Sequence, residues 1–311
     1  MLNQIFDTII IGAGPAGLTA ALYTGRNSLK TLLLSKDLGG QTAISGEIGN
    51  FPGVPATEGF KLIATMKEQV DALPTVEIKT GEDFTVKELK QKNELFAIAD
   101  TNGNEYQAKT VIVTSGKTHR KLGIPGEAEF EGRGVNYCAT CDGPLYRNKI
   151  VAIIGGGYSA TEAAYMLDKY ASNIFVLTIN PEMKGEKVTL DKLAKSDKIK
   201  IIADAVTTEI LHDGMRVTGV KYKSDKTGES QELPVQGVFV EIGSVPNTKQ
   251  FGDLVKLNKY NEIEIDHKNM TSVSGLFAAG DVTSVWGKQS VIAAGEGAKA
   301  AMAVGEYLAG K

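Results

Sequence analysis

Cysteine is nearly absent from this chain: Cys138 and Cys141 are the only two in 311 residues. That scarcity excludes a fold stapled by several disulfides, and it suits a reducing compartment where spare thiols add no stability. It also argues against a structural zinc centre. Four ligands are needed, no second cysteine pair exists, and only His119, His212 and His267 could complete the set. No metal site is expected. No apolar run approaches the roughly 18 residues of a membrane-spanning helix, and the N-terminus shows no basic stretch followed by a cleavage site. Surplus positive charge is missing as well. A net charge of -3 leaves no electrostatic footprint for nucleic acid or an anionic membrane surface. The remaining composition, 42% hydrophobic and 23% charged, is that of a globular chain long enough for two domains. The cytoplasm is the expected location.

The two cysteines sit in Cys138-Ala139-Thr140-Cys141-Asp142-Gly143. A C-x-x-C spacing brings two sulfurs within reach of each other, so the pair can cycle between dithiol and disulfide, and one thiol usually has a lowered pKa. A purely structural disulfide across so short a loop would restrain little unfolded-chain entropy, which leaves redox chemistry as the stronger reading. Asp142 is the carboxylate nearest in sequence and is the candidate acid-base group, although an Asp before Gly is also ordinary turn chemistry.

Two glycine-rich turns say what kind of redox chemistry this is. The β-branched run Phe6 to Ile11 reads as a buried parallel strand. Gly12-Ala13-Gly14-Pro15-Ala16-Gly17 follows, with Leu18 to Tyr23 in helical register behind it. In this strand-turn-helix setting Gly12 permits the tight turn, Gly14 lets backbone approach a pyrophosphate, and Gly17 allows close helix packing. A strand over Thr31–Leu34 follows, then Gly39-Gly40-Gln41, where backbone can lie against a flat ring. Residues 57–73 read as an amphipathic helix with Phe60, Ile63, Ala64, Met66 and Val70 on one face. Residues 74–110 read as a β-rich excursion with turns at Lys92-Asn93 and Asn102-Gly103, and Thr110 to Gly116 as a strand returning to the first sheet. Lys117 to Arg133 is a linker and entry loop. A second fingerprint then begins: strand Ile150–Ile154, turn Gly155-Gly156-Gly157-Tyr158-Ser159-Ala160, helix Thr161–Tyr170 and strand Asn173–Thr178, with Ala160 small enough to replace the third glycine. Strands over 199–222 and 232–242 surround a hairpin near Asp225 to Gly228, and Gly243 to Asn247 is the return linker. The tail carries the apolar strand Gly275 to Asp281 and an alanine-rich helix from Ser290 to Leu308.

Six stretches in this order resemble the low-molecular-weight thioredoxin reductase family of flavoproteins: the first fingerprint, Gly39-Gly40-Gln41, Asn50-Phe51-Pro52-Gly53, the cysteine motif, the second fingerprint, and Gly280-Asp281-Val282 with Lys288-Gln289. The resemblance covers nearly the whole chain. It implies an α/β fold of two Rossmann-like dinucleotide-binding domains, the second inserted into the first. Their expected boundaries are 1–115 and 247–311 for FAD and 116–246 for the nucleotide domain with its redox pair. FAD would engage Gly12, Ala13, Gly14, Pro15, Gly17, Gly40, Gln41, Asn50, Gly116, Gly280, Asp281, Lys288, Gln289 and Ser290, with Asp281 on the ribityl chain and Gln289 near the flavin. A nicotinamide nucleotide would use Gly155, Gly157, Ser159 and Ala160. The family further implies that Cys141 lies nearest the flavin, that Cys138 attacks the partner's disulfide, that Asp142 moves the proton, that the two domains rotate against each other, and that the protein is a homodimer. The expected partner is thioredoxin or a thioredoxin-like protein.

Pro181-Glu182-Met183-Lys184 and the tail Lys288 to Ala300 are also similar to the flavoprotein component of alkyl hydroperoxide reductase. That component carries an additional N-terminal thioredoxin-fold module. This chain starts at the FAD strand, so electrons are expected to leave to a separate protein, including the partner of a peroxiredoxin system. The chain departs from the family at the second nucleotide site. NADPH-using members place a His-Arg-Arg run and a further Arg where this chain has Thr178-Ile179-Asn180 and Lys184, and no acid near Thr178 awaits the 2′-hydroxyl of NADH. Tyr158 adds bulk. NADH, NADPH and a ferredoxin-like protein donor therefore all stand as electron sources.

Overall fold

The computed structural model describes residues 4–45, 47–251 and 253–310, and for Glu47 and Cys141 the backbone alone. The chain divides into two compact units, Met1–Thr118 together with Val245–Lys311, and His119–Ser244. The first unit begins with β1 (Ile5–Ala13), α1 (Pro15–Arg26), β2 (Thr31–Leu38), α2 (Gly40–Ala43), β3 (Glu47–Ile48), β4 (Thr57–Glu58), α3 (Gly59–Asp71), β5 (Val76–Thr80), β6 (Val86–Lys92), β7 (Leu95–Asp100) and β8 (Glu105–Val113). β9 (Lys117–His119) leads out of it. The second unit holds β10 (Val135–Asn136), α4 (Ala139–Asp142), β11 (Ile150–Ile154), α5 (Tyr158–Leu167), β12 (Asn173–Leu177), α6 (Lys187–Leu193), β13 (Ile199–Ile202), β14 (Ala205–His212), β15 (Val217–Ser224), β16 (Ser230–Pro234) and β17 (Gly237–Val240). β18 (Ser244–Pro246), which pairs with β9, leads back to β19 (Leu276–Ala278) and α7 (Ser290–Ala309).

In the first unit the sheet runs β5-β2-β1-β8-β7-β6, with β1 parallel to both β2 and β8. β8 is long enough to serve two partners on one edge. Its start pairs antiparallel with β7 through Ala108 and Tyr106, and its end pairs parallel with β19 through Val111 to Val113. The tail thus rejoins the first sheet. Side chains alternate across it: Ile9, Ile11, Leu32 and Leu34 enter one core, while Ile10, Leu33 and Ile112 enter another beneath α1 and α7. Burial on both faces is why β1 reads as an unbroken apolar run. α7 approaches closely because Gly297 has no side chain; a Cβ there would lie 2.0 Å from the Ala16 carbonyl oxygen.

The second unit has a parallel sheet in the order β10-β17-β11-β12-β13 and an antiparallel sheet β14-β15-β16. Both units are therefore α/β with a parallel sheet of Rossmann type, as the resemblance implies. Among the described residues no helix is long and apolar enough to cross a membrane.

Three local expectations are corrected. The helices after the two glycine turns start earlier than expected, at Pro15 and Tyr158, so the last residues of each motif form the first helical turn. In α3 the buried apolar residues are Leu62, Ile63 and Val70, whereas Phe60 is 56% exposed and Ala64 also faces out. Ile63 sets that face, because its side chain packs where Gly39 lacks one.

Candidate active site

β1 sits between β2 and β8, so the chain leaves it in opposite directions and opens a crevice at its carboxyl end. Gly12 occupies that point with φ +112°, and a Cβ there would meet the Thr114 carbonyl oxygen at 2.4 Å. Thr114 bonds back through its hydroxyl to the carbonyls of Ile11 and Gly12, and Ala13 N–H donates to Ser35 Oγ at 3.0 Å. Gly14 caps α1 without any side-chain acceptor and faces open space, the nearest atom to a Cβ being the Gly39 carbonyl oxygen at 3.9 Å. Pro15 has no N–H to leave unpaired, while the first-turn N–H groups of Ala16 and Gly17 have no intrahelical acceptor. That is a cradle for a phosphate.

The expected partners of this cradle lie around it. Gly39 N–H donates to the Ala13 carbonyl, and Gly40 and Gln41 open α2. Asn50 Nδ2 donates to Gln289 Oε1 at 3.0 Å, and Ser290 Oγ lies 2.8 Å from Thr42 Oγ1, a residue that sequence reasoning missed. Gly116 has φ +66° and is pinned by Asn247, whose N–H donates to its carbonyl. Gly280, at φ +78°, lies where a Cβ would touch that of Ala16 at 3.0 Å, which brings Asp281 to the start of α1. Burial pushes the Asp281 carboxyl up, while Lys288 and Lys117 pull it down. No hydrogen bond to that carboxylate is formed among the described residues. A half-buried acceptor without a donor fits a hydroxyl-bearing ligand chain, and the open Gly14 fits a pyrophosphate, so these residues suit a dinucleotide.

Lys117 and Glu262 also belong here and were not anticipated. Lys117 Nζ donates to Glu262 Oε1 at 2.7 Å, Lys288 Nζ lies 3.4 Å from the same oxygen, and Asn258 Nδ2 bonds the other at 2.7 Å. Lys117 and Glu262 are 145 residues apart in sequence, so no local pattern announces their pairing.

In the second unit β11 occupies the corresponding place between β12 and β17. Gly155 has φ +141°, and a Cβ there would lie 2.2 Å from the Glu241 carbonyl oxygen. Gly157 caps α5 and faces open space, Ala160 is fully buried as the small third position, and Ser159 is exposed. The Gly156 carbonyl is already occupied, since Lys184 N–H donates to it at 2.7 Å. Thr178 is buried and takes the Asn180 N–H at 3.1 Å, whereas Ile179 is 66% exposed and Tyr158 61% exposed. The strand end that would meet an adenosine ribose therefore carries an exposed isoleucine and neither a carboxylate nor a guanidinium.

The cysteine motif forms α4. Cys138 is disulfide-bonded and its carbonyl accepts the Asp142 N–H at 3.0 Å. The side chain of Cys141, the other expected redox residue, lies outside the described residues. Burial pushes the Asp142 carboxyl up to about 6. Behind it Asn136 Nδ2 donates to the Tyr146 hydroxyl at 2.8 Å, and Tyr146 packs edge-on against Phe239. Glu241 was also missed from the sequence: burial is the main cause that pushes its carboxyl up to about 8, with the Ala139 N–H opposing and Glu162 reinforcing the shift. Among the described residues no cluster of ligating side chains is suited to a metal ion.

Residues 6–301 match the family model of the pyridine nucleotide-disulphide oxidoreductases. The chain is 39% identical over 306 residues to the F component of alkyl hydroperoxide reductase from Escherichia coli strain K12, covering 98% of this chain and 59% of that protein. It is 41% identical over 311 residues to a Bacillus subtilis strain 168 protein named NADH dehydrogenase, again covering 98% and 59%. The chain thus spans about three-fifths of the length of these curated relatives. Among solved structures, thioredoxin reductase from Streptococcus pyogenes MGAS5005 superposes with a TM-score of 0.86 at 34% identity, covering 99% of this chain and all of that one. The fold, the two glycine turns and these matches together place the chain in the pyridine nucleotide-disulphide oxidoreductase family, as an oxidoreductase of the thioredoxin reductase type.

Proposed function

We propose that this protein is an FAD-dependent disulfide reductase that passes electrons from a nicotinamide nucleotide to thioredoxin or a thioredoxin-like protein through Cys138 and Cys141. The observation that carries this reading is the disulfide at Cys138, set on a four-residue helix with the raised carboxyl of Asp142 at its end. The similarity to the F component of alkyl hydroperoxide reductase extends the candidate partners to a thioredoxin-like component of a peroxiredoxin system.

The first-unit residues suit FAD: Gly12, Gly14 and Gly17 leave room for backbone N–H groups that would hold the pyrophosphate, Asp281 would take a ribityl hydroxyl, and Asn50 and Gln289, which bond each other, would lie by the ring. Bound FAD supplies conversion of a two-electron hydride input into reduction of a disulfide. The protein's part is to hold the sulfurs and to manage the proton. When the disulfide opens, one sulfur becomes a thiolate that needs a proton, and Asp142 holds one below about pH 6 and loses it as pH rises through that value. At pH 7 roughly a tenth of the molecules retain it. Replacing Asp142 with Asn is expected to lower disulfide reduction by about 10²-fold and to remove the inflection near pH 6. A pH–rate profile measured on both proteins checks this, and superimposable profiles would exclude Asp142 as the acid.

The electron donor is tested by stopped-flow bleaching of the flavin with NADH, NADPH or a reduced ferredoxin. NADH is expected to work at least as well as NADPH, because Ile179, Asn180 and Lys184 replace three guanidinium groups and a lysine lacks the planar fork that grips a phosphate bidentately. Ile179→Arg with Asn180→Arg is expected to raise kcat/KM for NADPH by about tenfold or more, read at fixed ionic strength since the contact is screened. A wild-type preference for NADPH of tenfold would refute the specificity argument. Bleaching by ferredoxin alone would move the electron input to a protein donor.

A further inference from the structure

Building on the reading of Cys138 and Cys141 as a redox pair, we propose that Tyr137 and Tyr146, which flank the cysteine turn, are positioning residues that pre-organise the reduced pair for closure to the disulfide. Each is anchored by its hydroxyl to a buried partner. On one side Tyr137 directly precedes Cys138, and its hydroxyl donates to Glu127 Oε1 at 2.8 Å. Glu127 is only 3% exposed, and its carboxylate also accepts the N–H groups of Leu122 and Gly123 at 2.8 and 2.7 Å. Lys121 covers the Tyr137 ring, its Nζ 3.8 Å from the centroid, and His119 stacks on the ring at 5.6 Å. On the other side the Tyr146 hydroxyl accepts Asn136 Nδ2 at 2.8 Å, and both residues are buried. Gly237 makes room for the Tyr146 ring, since a Cβ there would stand 2.0 Å from Tyr146 Cε1. Asn136 precedes the cysteine turn and Tyr146 follows it, so this one bond closes a loop around residues 138–142.

These anchors act on the two redox states unequally. In the oxidised state the disulfide itself restrains the turn. In the dithiol only the flanks do, so loosening a flank adds freedom chiefly to the dithiol and lowers the effective concentration of one thiol at the other. The tyrosines act through the backbone they fix. The equilibrium concerned is a two-electron exchange with a small dithiol such as dithiothreitol: the protein's S–S bond breaks as one closes in the reagent, and two protons pass to the protein thiols. A freer turn shifts that exchange toward the protein dithiol.

The test equilibrates the FAD-loaded protein anaerobically with reduced and oxidised dithiothreitol in varied ratio, then counts protein thiols by alkylation and mass. Tyr137→Phe and Tyr146→Phe keep both rings and remove one hydroxyl bond each; in the second, Asn136 Nδ2 retains the Val238 carbonyl at 3.3 Å. Each variant is expected to lower the equilibrium constant for disulfide formation by roughly three- to tenfold, the full worth of one such bond. Tyr222→Phe is the control for a purely structural role. Its hydroxyl bonds Gln231 Oε1 at 2.6 Å in the antiparallel sheet of the same unit, so it loses a comparable bond away from the cysteine turn and is expected to leave the constant unchanged. A constant within twofold of wild type in either flanking variant overturns the proposal, and so does an equal shift in Tyr222→Phe. If a flanking variant does not fold, Asn136→Ala breaks the second bond from its other end and is judged by the same criterion. Thiol counting on the wild-type protein separates this from the underlying reading: two thiols after reduction and none after oxidation keep the redox pair intact, so unmoved constants then sink the tyrosines alone. A count that does not change overturns both.

Discussion

Serine at either position 138 or 141 is expected to abolish reduction of a protein disulfide, by roughly 10³-fold or more, while only one of the two variants traps the partner. The reason lies in thiol–disulfide exchange. The attacking thiolate joins one partner sulfur in a mixed disulfide, and the second thiol of the pair must then displace it. If Cys138 attacks, Cys141→Ser leaves that mixed disulfide unresolved, and a covalent complex survives non-reducing electrophoresis with a mass equal to the sum of both chains. Cys138→Ser gives no such complex. The resemblance to the thioredoxin reductase family implies this order, with Cys138 as the attacking thiol. Trapping through Cys138→Ser would reverse the assignment. Trapping by neither variant, with activity retained, would remove the pair from the reaction.

The second large effect separates folding from cofactor binding at the first glycine turn. A Cβ at Gly17 would stand 1.8 Å from the Gly12 carbonyl oxygen and 2.8 Å from Thr114 Oγ1. Backbone cannot yield as a flexible side chain does, so Gly17→Val must lift α1 off β1, at a cost above the roughly 1–3 kcal/mol of ordinary overpacking. Little soluble protein is expected, and what remains should be colourless. Gly14 behaves differently. Its φ of −74° suits any residue and a Cβ there meets nothing closer than 3.9 Å. Gly14→Ala should fold with an unfolding temperature for the apoprotein close to that of wild type. It should nevertheless bind FAD more weakly by about tenfold or more, since the methyl occupies the space through which backbone N–H groups reach the pyrophosphate. Flavin absorbance after refolding with FAD, alongside thermal unfolding of the apoproteins, gives both readouts. A yellow Gly14→Ala protein with unaltered affinity would move the pyrophosphate away from this turn.

Wherever the physical constraint was local, the amino-acid sequence alone determined the outcome. A chain that leaves a strand, turns sharply and packs its next helix against that strand needs glycine or alanine at set spacings, and Gly12, Gly17, Gly155 and Ala160 meet that need in both units. The β-branched runs of β1 and β8 likewise announced a sheet buried on both faces. The tertiary structure decided what depends on partners far along the chain. The inward face of α3 was set by Ile63 lying where Gly39 has no side chain, so Leu62 is buried and Phe60 exposed, although the helical period favoured Phe60. Lys117, Glu262 and Lys288 gather only because β9 and the tail return to the same unit, and the Glu241 carbonyl reaches Gly155 only because β17 pairs with β11. A buried ion pair or a raised carboxyl carries no signature in its own neighbours, because its energy comes from desolvation and from charges brought up by other segments.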